Sequence, residues 1–226
     1  MPRLTLFDLD HTLIRVDSNQ AWIRFLIDQG RLDRIRYSAL AACMEERYRS
    51  QVVEIDIEFC EFFIQTLVGL DEDELSLLVA QFLEQAIRPA ITSTARALVA
   101  THAHAGDTLA IITATNRVIT APIAREFGIE HLIATEPESR VGRLTGRISG
   151  MPAMRSGKVV RLEEWLASGA LPGARSAGDL EVLRFYSDSI NDRALLSYVK
   201  EAIAVDPDPA LEALAALRGW PVISLA

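Results

Sequence analysis

Cysteine is nearly absent from this chain. Cys43 and Cys60 are the only two among 226 residues, and no CxxC pair occurs. That excludes a disulfide framework and leaves a reducing, cytoplasmic setting as the expectation. Long apolar runs are missing too, since none approaches the roughly 18–20 residues that a membrane span requires. The opening stretch MPRLTLFDLD meets acids before it reaches the length of a signal-peptide core. Basic charge is in the minority, with 23 Lys and Arg against 31 Asp and Glu and a net charge of −8. A nucleic-acid backbone would be repelled by that average, so neither nucleic acid nor membrane is an expected partner. Lysine is the scarcest cation, present only as Lys158 and Lys200. No internal repeat or low-complexity segment is present. What remains is an ordinary globular balance, 50% hydrophobic and 24% charged, long enough for one compact domain plus an insertion.

The pattern along the chain divides unevenly. Residues 3–9, RLTLFDL, read as a buried strand ending near Asp8 to Asp10. From Asp17 to about Arg88 the spacing turns helical. Trp22, Ile23, Phe25, Leu26 and Ile27 crowd one helix, Ile35, Leu40, Cys43 and Met44 a second, Ile55, Phe59, Phe62, Phe63 and Leu67 a third. Leu75, Leu78, Val79, Phe82 and Leu83 make a fourth after the acidic start DEDE. Between Arg15 and Arg88 eight Arg oppose fourteen Asp or Glu, so this block holds six of the eight net negative charges. Beyond Pro89 strands and helices alternate: a helix over Ala90–His104, the strand DTLAIIT, a helix from Arg117 to Phe127 and a strand His131–Thr135. A glycine-punctuated hairpin follows in RVGRLTGRISG, then the helix SGKVVRLEEWLAS, the strand LRFYSD, a short helix near Asp192–Val199, the strand EAIAV, the helix PALEALAALRG and an edge strand in WPVISL. This alternation implies an α/β, doubly wound parallel sheet with an inserted all-helical subdomain. The expected division is a core of 1–14 and 90–226 and an insert of 15–89, joined by crossings short enough to act as hinges.

Four segments carry candidate chemistry. In FDLDHT, residues two apart on a strand share a face, so Asp8 and Asp10 project together where the first strand runs out. Bare, two such carboxylates repel by about 4 kcal/mol at ~4 Å and an effective dielectric of ~20, which calls for a proton or a cation; a turn or helix-capping pair is the competing reading. In YSDSINDRALL, Asp188 ends an apolar run and Asp192 follows four residues on. Such an oxygen-only set suits a hard cation like Mg²⁺, while a plain N-cap at Ser189 or Asn191 explains the same pattern alone. In AIITAT, Thr113 ends a strand and the following residues open a helix, an anion site or a simple cap. Lys158 stands at a helix start, where the dipole disfavours a cation, so it has either an anionic partner or open solvent.

Taken in order, Asp-x-Asp, Thr, Lys and Asp-x-x-x-Asp, each at a strand end or helix opening, resemble the haloacid dehalogenase superfamily over essentially the whole chain. DLDHTLI, VGRLTGRI, SGKVVRLEEWL, YSDSINDRALL and GWPV are similar to its phosphoserine-phosphatase-like branch, including small bacterial members linked to histidinol phosphate. The resemblance implies a Rossmann-like core with a helical cap and a Mg²⁺-dependent phosphomonoesterase acting on a small phosphorylated metabolite. Asp8 would be the nucleophile that takes the phosphoryl group, and Asp10 the general acid and then base. Mg²⁺ would be held by the Asp8 side chain, the Asp10 carbonyl and Asp188, supported by Asp192. Thr113, Ala114 and Lys158 would bind the phosphoryl oxygens. The second Asp sets phosphatases apart from the dehalogenating members.

Departures from the pattern bear on substrate. His11 stands where relatives often carry Gly or Ser. Asp17 takes the place of a Glu that meets the substrate amine in phosphoserine phosphatases. An ungapped alignment from LVGL puts Phe63 where those enzymes carry a cap Arg, and an apolar ring does not replace a guanidinium–carboxylate pair. Another register would bring Arg47 or Arg49 there. Phe59, Phe62 and Phe63 read as insert core, His102 and His104 as solvated, Arg31, Arg34 and Arg36 as a solvated face, and Trp165 and Trp220 as packing residues. A phosphotransferase or mutase, or a non-catalytic phosphometabolite-binding protein, are the competing functions; the intact motif set counts against the last.

Overall fold

The computed structural model describes residues 1–49 and 55–226. Six strands, β1 (Arg3–Phe7), β2 (Thr108–Asn116), β3 (His131–Thr135), β6 (Val182–Ser187), β7 (Glu201–Val205) and β8 (Val222–Ile223), form one sheet in the order β3-β2-β1-β6-β7-β8. Every pairing in it is parallel. Strand alternation sorts the apolar residues to two faces. Leu4, Leu6, Ala110 and Ile112 pack on one side with Leu162 and Leu166 of α7 (Gly157–Ala167), Leu195 and Leu196 of α8 (Arg193–Tyr198), and Leu211 and Ala215 of α9 (Pro209–Arg218). Phe7 and Ile111 face the other way, toward Ala95 and Val99 of α5 (Ser93–His104) and Ile119 and Ile123 of α6 (Arg117–Glu126). Strand order reverses beside β1, which is where a doubly wound sheet opens a crevice at its carboxyl edge.

Four helices, α1 (Ser18–Asp28), α2 (Arg34–Arg49), α3 (Ile55–Gln65) and α4 (Glu72–Phe82), lie between β1 and α5. α1 and α4 are continuous with the core: Trp22, Phe25, Val79 and Phe82 share one cluster with Phe7 and Ile123. Each such fully buried ring contributes about 1.5–3 kcal/mol through water exclusion. α3 packs through Phe59, Cys60 and Phe63 against Ile23 and Ile27 of α1 and against Met154. α2 departs in part from the sequence reading, because Ile35, Leu40 and Cys43 are exposed. Ala41 is buried against α1 and α3, with Tyr37 and Met44 packed beside it. The two crossings to the insert pair with each other, through an Ile14–Ile91 bridge and Arg15 N–H donating to Ala90 O at 3.0 Å.

The glycine-rich segment forms the antiparallel hairpin β4 (Pro137–Arg140) and β5 (Arg143–Ile148). It sits against α3, where Gln65 Nε2 donates to Gly146 O at 3.2 Å and Ile148 N–H to Glu61 Oε1 at 3.3 Å. The hairpin, though late in sequence, therefore belongs spatially with the helical insert. Two boundaries move. β1 ends at Phe7, before the Asp pair, and α5 starts at Ser93 behind the Thr92 cap, three residues after the sequence indicates. Among the described residues no helix is long and apolar enough to cross a membrane.

Candidate active site

A cavity of about 450 Å³ opens at the carboxyl edge of the sheet, and its wall includes Asp8, Asp10, Thr113, Lys158, Asp188 and Asp192. Residues from β2, from the start of α7 and from the segments that follow β1 and β6 thus meet, although they stand as much as 184 positions apart. Lys158 is the hub. It is buried at 3% exposure, and its Nζ donates to Asp8 Oδ1 and to Asp192 Oδ2, both at 2.7 Å. Burial works against its charge, but Asp192 and Asp8 more than offset that and hold the ammonium above its ordinary value. The open-solvent reading of this lysine fails. The cap reading holds at Ser189, whose Oγ accepts from Asn191 N–H at 3.3 Å, but it does not account for Asp192. Asp192 accepts a second bond from Ser187 Oγ at 2.7 Å, and its side chain makes no cap bond to α8.

Among the described residues no ion pair joins Asp10 or Asp188 to a cation, and Asp8 and Asp192 share that of Lys158. Burial pushes Asp8 up to about 6; Lys158 draws it down and Asp192 pushes it up again. Asp188 is driven to about 8 by burial and then by Asp8 and Asp192. It is placed by Thr12, whose Oγ1 donates to Asp188 Oδ1 and accepts from Asp188 N–H, both at 3.1 Å. Asp10 is held apart from this group: Oδ1 accepts from Ser18 N–H at 2.9 Å and Oδ2 from Thr115 Oγ1 at 3.0 Å. Burial, followed by repulsion from Asp17, raises it to about 8. The turn that follows β1, rather than strand alternation, brings Asp8 and Asp10 to the same cavity. That turn holds His11 in the left-handed region (φ 56°), a conformation glycine adopts without strain. The His11 ring is exposed at the cavity wall.

Thr113 lines the cavity, but β2 runs on to Asn116, and Asn116 Oδ1 caps α6 by accepting from Ile119 N–H at 3.3 Å. The register with β3 slips between Thr113 and Asn116, so Ala114 and Thr115 bulge at the site. Thr113 Oγ1 accepts from Thr115 N–H at 3.2 Å, leaving its own hydrogen to donate. Asp17 also reaches the wall while capping α1 through Gln20 N–H at 2.7 Å. Phe63 does not reach it. That ring is 1% exposed within the α1–α3 cluster, tilted against Phe59 and Phe62, and Phe59 lines the cavity instead. The Arg47 alternative pairs with Glu58 on the outside; the Arg49 side chain lies outside the described residues.

Several wall residues escaped the sequence reading, among them Asn19, Thr115, Met154, Arg155 and Asp208; Ser18 and Thr12 act from behind the wall, through Asp10 and Asp188. Thr115 was legible in principle, two residues beyond Thr113. Asp208 was not: its carboxylate takes Ile190 N–H at 2.7 Å and its N–H reaches Asp188 O at 2.8 Å, steadying the 188–192 loop from a distant turn. Asn19 Oδ1 is buried and accepts no hydrogen bond among the described residues. His102 corrects the solvated reading. It is buried beside β1, with Nδ1 3.0 Å from Asp107 Oδ2 and Nε2 2.8 Å from Tyr186 Oη, and burial lowers its pKa despite Asp107.

The donor chemistry of the cavity suits a hard divalent ion. Carboxyl and carbonyl oxygens are present, His and Cys ligands are not in the wall apart from exposed His11, and one ammonium faces an excess of acid. Among the described residues no three His, Cys, Asp or Glu side chains form a cluster able to grip a metal alone. That is compatible with Mg²⁺, which takes one or two carboxylates and fills its shell with water, carbonyl and phosphate oxygens.

The family model of haloacid dehalogenase-like hydrolases matches residues 5–197. A histidinol-phosphatase of Neisseria meningitidis serogroup C (strain 8013) is 38% identical over 225 residues, 99% of each chain. A phosphoserine phosphatase of Mycobacterium tuberculosis is 34% identical over 154 residues, 68% of this chain and 48% of that one. Among solved structures, a protein of unknown function from Bordetella pertussis Tohama I superposes with a TM-score of 0.93 at 44% identity over 100% of both chains. A substrate-bound phosphoserine phosphatase shares the fold, with a TM-score of 0.65 at 16% identity over 94% of this chain and 90% of that one.

Proposed function

Because the chain belongs to the haloacid dehalogenase-like hydrolases, as a phosphatase, we propose that it is a Mg²⁺-dependent phosphomonoesterase acting on a small amino-alcohol phosphate through an aspartyl-phosphate. The observation that carries this reading is the single ammonium of Lys158 shared between Asp8 and Asp192 at 2.7 Å, with Asp10 held separately by Ser18 and Thr115. Two adjacent carboxyls are thereby given different tasks.

Asp8, drawn down by Lys158 from the value burial alone would impose, is ionised at neutral pH and attacks phosphorus in line. Asp10, at about 8, still carries a proton there and gives it to the departing alkoxide as the P–O bond breaks. Water then attacks the phosphoryl group on Asp8 while Asp10 recovers its proton from that water. Inorganic phosphate leaves, and both carboxyls return to their starting states. Thr113 and Lys158 would donate to the phosphoryl oxygens beside the Ala114 bulge. Asp8, Asp188 and the Asp10 carbonyl would hold Mg²⁺, with Asp192 in support; the ion supplies charge neutralisation for the transferring group.

Residues 1–14 and 90–226 would form the catalytic body and 15–89 its cap. The contribution of Asp17, Asn19 and Phe59 to the cavity wall supports that division. For substrate, the acid of Asp17 and the unfilled acceptor Asn19 Oδ1 favour an organic part that donates hydrogen bonds, as an ammonium does. The Neisseria relative is named for such a substrate, histidinol phosphate. Asp8→Asn is expected to abolish release of p-nitrophenol from p-nitrophenyl phosphate with Mg²⁺ present while circular dichroism stays unchanged; retained turnover overturns the mechanism. Among natural esters, kcat/KM should favour histidinol phosphate over phosphoserine.

A further inference from the structure

Arg155 is delivered to the cavity wall by a left-handed backbone (φ 49°), a conformation disfavoured for any residue with a Cβ. Strained positions of this kind persist only where the surroundings hold them, and they concentrate at ligand sites. The guanidinium is contacted from the insert: Nη1 lies 3.2 Å from Asp56 Oδ1 on α3, with only 13% and 15% of the two side chains exposed. Asp56 Oδ1 accepts no hydrogen bond of normal geometry among the described residues, so attraction of charge, not a bidentate fork, joins the pair. Arg155 is also part of the wall of a second cavity of about 210 Å³, with Asp56, Ser156, Asn191 and Arg193. Arg155 is thus common to both cavities, with Asp56 on the side of the second.

We infer that Asp56 acts as a charge plug on Arg155, so that the pair discriminates against phosphomonoesters whose alcohol carries a carboxylate. This deepens the phosphatase reading and rests on it. A guanidinium in a cavity wall is the natural partner of a substrate carboxylate. With Asp56 beside it, an entering carboxylate gains little from Arg155 and meets like charge from Asp56 and Asp17. A substrate with an ammonium but no carboxylate meets no such opposition. Specificity of this kind is built by repulsion as much as by attraction.

The test uses two phosphonates that differ only in the carboxylate and are not hydrolysed. They are 2-amino-4-phosphonobutanoate, which mimics phosphoserine, and 3-aminopropylphosphonate, which mimics phosphoethanolamine. Dissociation constants are measured by calorimetry with Mg²⁺ on the full chain. The wild type should favour 3-aminopropylphosphonate. Asp56→Asn, nearly isosteric, should move the ratio of the two constants at least tenfold toward the carboxylate-bearing ligand. Adding Arg155→Ala to it should cancel that shift. An unmoved ratio in D56N, or no binding of either ligand by D56N, overturns the inference. A shift that survives loss of Arg155 also overturns it, since a general loss of negative charge would then suffice. Because binding is read without turnover, this failure is distinct from a failure of the phosphatase reading, which shows as inactivity on p-nitrophenyl phosphate.

Discussion

Asp10 illustrates how much of the chemistry rests on placement. Under the proposed mechanism its proton is useful only if the carboxyl stays at the leaving oxygen, and Thr115 Oγ1 and Ser18 N–H hold its two oxygens. Thr115→Val deletes one of these bonds while keeping the shape of the residue. A hydrogen bond to a charged group contributes about 1.5–3 kcal/mol, so kcat on p-nitrophenyl phosphate should fall roughly ten- to a hundredfold. The hydrogen bond favours the ionised form, and its loss raises the Asp10 pKa. Wild-type kcat/KM should follow a bell whose acid limb comes from Asp8 and whose alkaline limb comes from Asp10, both raised by burial in the metal-free chain and both drawn down by a bound cation. In the variant the alkaline limb should move upward. A lower kcat with an unmoved limb would show that Thr115 acts elsewhere.

The start of α7 shows the same dependence one level up. A Cβ at Gly157 would lie 2.3 Å from Pro152 O, a backbone atom that cannot swing aside. Gly157→Ala must therefore displace the helix start, and with it the adjacent Lys158 that bridges Asp8 and Asp192. The expected result is a loss of kcat of tenfold or more together with a lower melting temperature; a variant with wild-type kcat would show that α7 absorbs the change. The elements themselves were largely legible, because apolar periodicity reports strands such as β3 and β7 and helices such as α1 and α4 directly. The motif acids and Lys158 were legible because each stands where an element ends. What was not legible came from long-range contact. β2 extends to Asn116 because β3 continues beside it past a bulge. Ile35, Leu40 and Cys43 of α2 stay exposed while Ala41 and Met44 meet α1 and α3, and the hairpin joins α3 across a gap in sequence that no local pattern bridges. Nothing near Asp56 or Arg155 announces their meeting 99 positions apart, and His102 is buried by the packing of α5 on Phe7 and Tyr186.

For the whole molecule, collecting carboxyls around one ammonium makes the candidate site a source of instability that a bound divalent cation would relieve. Asp10 and Asp188, both at about 8 in the fold, would ionise near 3.9 when unfolded. Between those values the folded chain holds protons that the unfolded chain releases, so stability falls as pH rises through the window and is lost further until both groups are ionised. The cleanest range is pH 6.5 to 8. At its lower end the unfolded chain still half-protonates a histidine that burial lowers in the fold, as it does His102, and this opposes the slope by about half of one carboxyl's contribution, fading toward pH 8. Each carboxyl contributes at most about 1.4 kcal/mol per pH unit, and their coupling reduces the sum. The melting temperature of the metal-free chain should therefore fall measurably over that range in differential scanning calorimetry. Mg²⁺ binds the ionised carboxylates of the folded chain, so it should raise the melting temperature more at pH 8 than at pH 6.5 and flatten the slope. Asp188→Asn should remove part of the pH slope and most of the Mg²⁺ response together. A metal-free chain that becomes more stable from pH 6.5 to 8, or a Mg²⁺ response that survives loss of Asp188, would mean that these acids are neutralised by a partner other than a divalent cation.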